Sequence, residues 1–339
     1  MRNLRRHVVA LVVIFAGLPA IAGAQPPGKG PAAKPAYELF VTFGDSLADT
    51  GNVYTMTKAL GIRPAVPPSD APNRSYFNGR FSNGPVGFEY FWNSIRGPHA
   101  ALQPFLRLKK IPRKGGVDFA FGGSTSTYVR ALDGFLVPGL LGQVDLYLTL
   151  HRGRLPQKAL FAILTGSNDY LSLMGEPPAN PPDVVQNIVT SIEKLYARGA
   201  RTIVVVNLSD LGAVPLVANQ PQEVRDGLSM LSAAHNALLA GALAQLSATR
   251  PGLTLVPVDV ATVVAGLPPT NMVVPAMEAI VTDWALPFPV SACLFVDPAT
   301  CPNVPTFDVG NSFFFWDAVH PTTSLHQGLG SYLTTVVPQ

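Results

Sequence analysis

Residues 37–52, YELFVTFGDSLADTGN, decide how the rest of the chain is organised. Their first part, Tyr37 to Phe43, is a short run of apolar, aromatic and β-branched residues, which predicts a buried β-strand. Gly44 permits a sharp turn after that strand, and the small polar residues beyond it are suited to cap a helix. Ser46 is therefore predicted to stand at the edge of a sheet. The same residue types occur in ordinary strand-to-helix turns, so this stretch alone assigns no function.

Strand and helix patterns alternate along the remaining chain, which predicts a parallel sheet covered by helices on both faces. Such sheets bind ligands at the carboxyl ends of their strands. Ser46, Gly122 and Gly166 each follow a predicted strand, so we expect them to gather at one edge of the sheet. The later strands are predicted within 116–124, 159–165, 202–208 and 253–260, and helices over 52–61, 86–95, 183–198 and 222–248.

The chain has 339 residues, 47% hydrophobic and 13% charged, which favours a folded protein with a large core. Its first 24 residues place three arginines before a short apolar run and end in Ala22-Gly23-Ala24. This order is typical of a secretory signal peptide cleaved after Ala24, and the apolar run is short for an uncleaved membrane anchor. We expect a flexible leader over 25–36, one domain over 37–339, and a secreted or periplasmic protein.

The formal charge of +3 equals the contribution of Arg2, Arg5 and Arg6, so the mature chain is predicted to be neutral. This balance offers no basic patch or stripe for nucleic acid. Cys293 and Cys301 lie eight positions apart, and export favours a disulfide between them over two unpaired thiols. Two cysteines alone cannot complete a metal site.

Two further stretches carry side chains suited to catalysis. In Thr165 to Asp169, Asn168 follows a predicted strand and can offer its amide to a developing oxyanion, although such a sequence also makes an ordinary turn or helix cap. Asp317 and His320 are three residues apart, ahead of Pro321, which predicts a turn there and can itself start a helix. In that turn the carboxylate can orient the imidazole toward a serine.

Two long segments remain open to more than one interpretation. Residues 62–83 are rich in Pro, Asn, Ser and Arg, and form either a loop that borders a substrate cleft or a plain connector. Residues 261–305 are apolar but interrupted by prolines, and form either a core-packed segment or an apolar flap beside the site.

Four sequence blocks occur in order and together resemble the GDSL family of esterases and lipases, also called SGNH hydrolases, especially its exported bacterial branch. They are Gly44–Leu47, Phe119–Gly123, Gly166–Asp169 and Asp317–Pro321, and residues 80–84 resemble a further segment of that branch. The resemblance implies a three-layer α/β/α fold with a mainly parallel, flavodoxin-like central sheet. The Gly-x-Ser-x-Gly elbow of α/β-hydrolases is absent around Ser46, in agreement with that flatter sheet.

The same resemblance implies a role for each matching residue. Ser46 corresponds to the nucleophile, His320 to the general base and acid, and Asp317 to the residue that orients it. The oxyanion hole corresponds to the Ser46 amide, the Gly122 amide and the Asn168 side chain. The second block has two adjacent glycines, and we assign the donor to Gly122 rather than to its neighbour. Phe121 and Ser124 depart from the family pattern and affect the shape of the pocket.

We therefore predict a secreted serine ester hydrolase that forms an acyl-enzyme on Ser46 and needs no metal or cofactor. The low charge and the apolar residues 261–305 favour a lipid or other acyl ester and a transient contact with a lipid surface. Lipase, phospholipase, short-chain esterase and carbohydrate deacetylase activities stay open, and no substrate-binding residue is assigned. The alternatives are a metal-dependent phosphoesterase and a non-catalytic secreted binding protein of the same fold.

Overall fold

The computed structural model describes residues 36–72, 75–132, 134–171, 177–260, 263 and 315–339. The predicted signal peptide, almost all of the leader, Cys293, Cys301 and nearly all of residues 261–305 lie outside the described residues. The strands are β1 Leu39–Gly44, β2 Leu102–Pro104, β3 Gly115–Asp118, β4 Val129–Leu132, β5 Phe135–Pro138, β6 Ala159–Leu164, β7 Thr202–Val206 and β8 Thr254–Val258. The helices are α1 Asn52–Ala59, α2 Gly87–Arg96, α3 Leu140–His151, α4 Ser167–Tyr170, α5 Pro181–Ala197, α6 Gln222–Thr249 and α7 Thr323–Val336.

The central sheet has the strand order β2-β3-β1-β6-β7-β8 among the described residues, and every paired neighbour in it runs parallel. Without the short edge strand β2, this order is that of flavodoxin-like sheets. β1 lies between β3 and β6, at the point where the chain switches from building one side of the sheet to building the other. The predicted α/β fold with a flavodoxin-like parallel sheet is therefore confirmed.

Alternate side chains of β1 enter two different cores. Leu39, Val41 and Phe43 pack with α3, α5 and α6 on one face of the sheet. Phe40 packs with α2 and α7 on the other, where its ring contacts those of Phe88, Phe91 and Trp92. All six residues of β1 and all six of β6 are buried, as expected for strands covered on both faces.

The structure also contains elements that the sequence patterns did not predict. Helix α3 is apolar almost all round and lacks a clear polar face, so it carries little amphipathic signal. β2 has only three residues, and β4 and β5 form a separate antiparallel hairpin. Helix α7 begins at Thr323, beyond the start expected at Pro321, because Pro321 is engaged in a β-bridge with Phe315.

Candidate active site

The turn after β1 presents Ser46 at the carboxyl edge of the sheet. Gly44 has a φ of 151°, and a Cβ there would lie 2.0 Å from the carbonyl oxygen of Leu164 in β6, so the close approach of the two strands requires glycine. The next residues fold into a tight turn in which the amides of Ala48 and Asp49 both donate to the carbonyl of Asp45. The sharp turn expected from Gly44 is thus observed.

Ser46, His320 and Asp317 form one hydrogen-bonded chain. The Oγ of Ser46 lies 2.8 Å from Nε2 of His320, and the Nδ1 of His320 lies 2.6 Å from Oδ2 of Asp317. All three side chains are buried. Because a carboxylate only accepts, His320 Nδ1 carries the hydrogen and Nε2 is left to accept one from the serine hydroxyl.

The predicted turn at Asp317 to His320 is closed by the aspartate itself. Oδ1 of Asp317 accepts the backbone N–H groups of Val319 at 2.9 Å and of His320 at 2.7 Å. Burial raises the pKa of Asp317, but the His320 ring and these two N–H groups outweigh it and hold the pKa below its ordinary value. The acid is therefore ionised when it faces the imidazole.

Asn168 follows β6 and reaches the same edge. It lies in the short helix α4, after Gly166, whose φ of 118° turns the chain there. One hydrogen of the Asn168 amide is donated to the carbonyl of Ser124 at 2.9 Å. An amide nitrogen carries two hydrogens, so the second is available to another acceptor.

The structure corrects the glycine chosen for the oxyanion hole. The Gly122 amide donates to Oδ2 of Asp49 at 2.9 Å and so cannot also serve an oxyanion. The amide of Gly123 makes no hydrogen bond among the described residues, nor does that of Ser46. Gly123 also has a φ of 78°, a conformation that favours glycine. Of the two adjacent glycines, Gly123 and not Gly122 is therefore the one whose amide has no protein partner among the described residues.

Asp49 is a residue of this site that the sequence analysis missed. Its carboxylate also accepts the backbone N–H groups of Gly51, which precedes α1, and of Asn52 and Val53, the first two residues of that helix. It thus ties the start of that helix to the turn at Gly122. Burial raises the pKa of Asp49, and these four backbone N–H donors oppose the rise. An acidic residue three positions before a helix was the available signal.

Residues 62–83 border the site rather than merely connect two elements. Tyr76 Oη donates to Oδ2 of Asp317 at 2.7 Å. The ring of Phe81 lies 5.2 Å from that of His320. The sequence analysis missed both residues, because nothing in the local sequence pairs a tyrosine or a phenylalanine with a turn about 240 positions away.

An apolar cavity of about 80 Å³ adjoins the site. Sequence neighbours of three predicted site residues line it: Leu47 beside Ser46, Ser167 beside Asn168, and Val319 and Pro321 on either side of His320. Aliphatic side chains from β6, β7 and α7 complete the lining; they include Leu164, Val206, Leu325 and Leu329. The lining of the cavity is therefore largely apolar and includes residues one position away in sequence from Ser46, Asn168 and His320.

Within the described part of the chain, no three His, Cys, Asp or Glu side chains stand close enough together to hold a metal ion. The chemistry that the site itself supports is nucleophilic attack by a serine. A hydroxyl next to an imidazole base and an ionised orienting acid are parts that acyl transfer requires.

Comparisons with known proteins agree with these features. A family model described as GDSL-like lipase/acylhydrolase matches residues 40–333. Over 64% of this chain, the sequence is 30% identical to the phosphatidylcholine-sterol acyltransferase of Aeromonas hydrophila, of which it covers 57%. It is 28% identical, also over 64% of this chain, to the inactive GDSL esterase/lipase-like protein 23 of Arabidopsis thaliana, of which it covers 58%. Over 84% it is 28% identical to the secreted effector protein SseJ of Salmonella typhimurium, covering 60%.

Proposed function

Because this chain belongs to the GDSL-like lipase/acylhydrolase family, we propose that it is an exported serine hydrolase that cleaves carboxylic esters through an acyl-enzyme. The hydrogen-bonded chain from Ser46 Oγ through His320 to Asp317 carries this proposal. The chain spans 57 to 60% of the length of the three relatives above, one of which is named inactive. Activity therefore has to be tested on this protein directly.

In the proposed reaction, His320 Nε2 takes the proton of Ser46 as Oγ attacks the ester carbonyl. The negative oxygen of the tetrahedral intermediate accepts hydrogen bonds from the amides of Ser46 and Gly123 and from Asn168. His320 then gives its proton to the departing alkoxide, and the acyl group remains on Ser46. Water, activated by the same imidazole, attacks the acyl-enzyme and regenerates the serine.

We propose an apolar acyl chain as the group that occupies the cavity beside Leu47. Each methylene removed from water contributes about 0.8 kcal/mol, so kcat/KM should rise about fourfold per added methylene until the cavity is full. A p-nitrophenyl ester series of increasing acyl length measures this slope. Leu325→Trp places a larger side chain in the cavity lining and so reduces the cavity volume. In this variant kcat/KM should stop increasing at a shorter acyl chain than in wild type.

The decisive test of mechanism compares wild type with Ser46→Ala. Wild type should react covalently with a fluorophosphonate probe and hydrolyse the esters, and the variant should do neither while unfolding at the same temperature. Wild-type protein that is folded yet unlabelled would favour the non-catalytic binding protein. Complete loss of hydrolysis with EDTA, restored by a divalent metal ion, would favour the metal-dependent phosphoesterase.

An acyl-enzyme can also pass its acyl group to an alcohol, and one relative is named an acyltransferase. Adding a long-chain alcohol or a sterol to the ester assay tests this route. A new ester product, formed at the expense of free acid and absent in Ser46→Ala, would assign transferase activity in addition to hydrolysis. We also propose export by the signal peptide ending at Ala24, which the amino-terminal sequence of the mature protein tests.

A further inference from the structure

A tyrosine hydroxyl completes the hydrogen bonds of the orienting acid. Tyr76 Oη lies 2.7 Å from Oδ2 of Asp317, the same oxygen that accepts the Nδ1 hydrogen of His320 at 2.6 Å. A phenol beside an ionised carboxylate donates its hydrogen. Tyr76 is 0% exposed, so water cannot take its place without a rearrangement of the loop. With the two backbone donors on Oδ1, the hydroxyl brings the donors on Asp317 to four.

The segment that carries Tyr76 holds the acid-base turn from both sides. Phe81 lies between the two aromatic groups of the site, with its ring 6.4 Å from that of Tyr76 and 5.2 Å from that of His320. Three further hydrogen bonds join residues 75–83 to the chain on either side of the turn: Trp316 Nε1 to the carbonyl of Ser75 at 3.2 Å, Ser82 Oγ to the carbonyl of Pro321 at 2.9 Å, and the amide of Thr323 to Asn83 Oδ1 at 2.8 Å.

We propose that Tyr76 is a positioning residue of the hydrolase, whose hydroxyl holds Oδ2 of the Asp317 carboxylate against Nδ1 of His320 and shares its negative charge. The proposal rests on the catalytic roles proposed above for Ser46, His320 and Asp317. Two donors already fix Oδ1, and the tyrosine is the donor that fixes the direction of Oδ2. Without it, the carboxylate can tilt away from Nδ1.

The charge on Oδ2 determines how strongly the acid favours the imidazolium form of His320. A donated hydrogen from Tyr76 withdraws part of that charge, and its loss concentrates the charge on the oxygen that faces Nδ1. Two other titratable groups act on His320: Asp45, from the turn after β1, and His326, from α7. Burial raises the pKa of Asp45 to about 7 and lowers the pKa of His326 to about 3. Neither contacts Tyr76 through a hydrogen bond in the described residues.

The test compares Tyr76→Phe with Tyr90→Phe. Tyr90 is a matched control because its hydroxyl also makes a 2.7 Å hydrogen bond, to Thr323 Oγ1, close to the same turn but not to the carboxylate. Tyr76→Phe should lower kcat about tenfold, the equivalent of one charge-assisted hydrogen bond of about 1.4 kcal/mol, with KM unchanged. The acid limb of its kcat/KM profile should move up by about half a pH unit, or about 0.7 kcal/mol. In Tyr90→Phe the acid limb of the kcat/KM profile should lie at the same pH as in wild type.

A second measurement does not depend on turnover. The proton on His320 Nδ1, held by Asp317, should give a downfield NMR resonance whose titration midpoint moves up in Tyr76→Phe by the same amount. Absence of ester hydrolysis in wild type would refute the proposed function yet leave this comparison intact. If Tyr76→Phe folds poorly, 3,5-difluorotyrosine at position 76 retains the ring and is a stronger donor, so it should move the midpoint down. An unmoved midpoint, or an equal shift in Tyr90→Phe, would overturn the positioning role.

Discussion

Replacing Asn168 with alanine should separate catalysis from stability in this protein. One amide hydrogen of Asn168 is donated to the Ser124 carbonyl at 2.9 Å, and our proposal gives the second hydrogen to the oxyanion, so the two roles can be tested separately. Loss of an oxyanion-hole donor costs about 100- to 1,000-fold in kcat. Loss of the bond to Ser124 costs about 1 kcal/mol of unfolding free energy, or about 2 to 4 °C in Tm. We expect Asn168→Ala to show both effects, with KM little changed.

Asn187→Ala provides the matched control. Asn187, on α5, donates its side-chain amide to Ser126 Oγ at 3.0 Å, a similar partly buried bond to the same segment of chain, but it has no role proposed in the reaction. The assay is p-nitrophenyl ester hydrolysis paired with thermal unfolding of each variant. Asn187→Ala should lose a similar amount of Tm and keep its kcat. If Asn168→Ala keeps kcat within about threefold of wild type, the assignment of Asn168 to the oxyanion hole is wrong.

Two further changes probe the surroundings of the site. In Gly122→Ala the new Cβ would lie 2.3 Å from the Phe81 ring, so that ring must move away from His320. We expect the free energy of unfolding to decrease by about 1 to 3 kcal/mol and kcat to fall. A variant with unchanged kinetics and an unchanged Tm would contradict the packing described. Burial lowers the pKa of His235 to about 4. Between pH 6.5 and pH 4 the unfolded chain therefore binds a proton that the folded protein does not, so the free energy of unfolding decreases as the pH is lowered. His235→Gln removes this effect, and its urea-unfolding free energy relative to wild type should improve by about 2 kcal/mol from pH 8 to pH 5.

The fold was readable from sequence because its central strands are buried on both faces. The run at 39–44 and the run at 159–164 are apolar along their whole length, and the amphipathic helices α5 and α6 end within one or two residues of the predicted positions. Elements without such a signal were missed. Helix α3 is mostly apolar around its circumference, so it shows no amphipathic pattern, and β2 has too few residues to show the alternation of apolar and polar residues that marks a strand.

The side chains that we propose as catalytic could be identified from sequence for a different reason. Ser46, Asn168 and His320 lie at chain positions whose backbone is fixed locally, after strand ends or in a turn closed by its own Asp317, so short blocks of sequence specify them. Parallel strands then bring their carboxyl ends to one edge without further information. Strand order predicted that the residues after β1 and β6 meet at one edge, whereas the resemblance of the sequence blocks was needed to place His320 and Asp317 beside Ser46.

The hydrogen-bond partners that prepare these groups could not be read in the same way, because each pair is distant in sequence and chemically ordinary. Asp49 reaches Gly122 across 73 positions, and Tyr76 reaches Asp317 across 241. Nothing in either local sequence specifies its partner. Yet the bond from Gly122 to Asp49 leaves the amide of the adjacent Gly123 as the one available to an oxyanion. The bond from Tyr76 to Asp317 determines how the orienting carboxylate is held. A sequence block thus identifies the residues proposed to react, whereas the availability and direction of their polar atoms depend on buried donors and acceptors contributed by other segments of the fold.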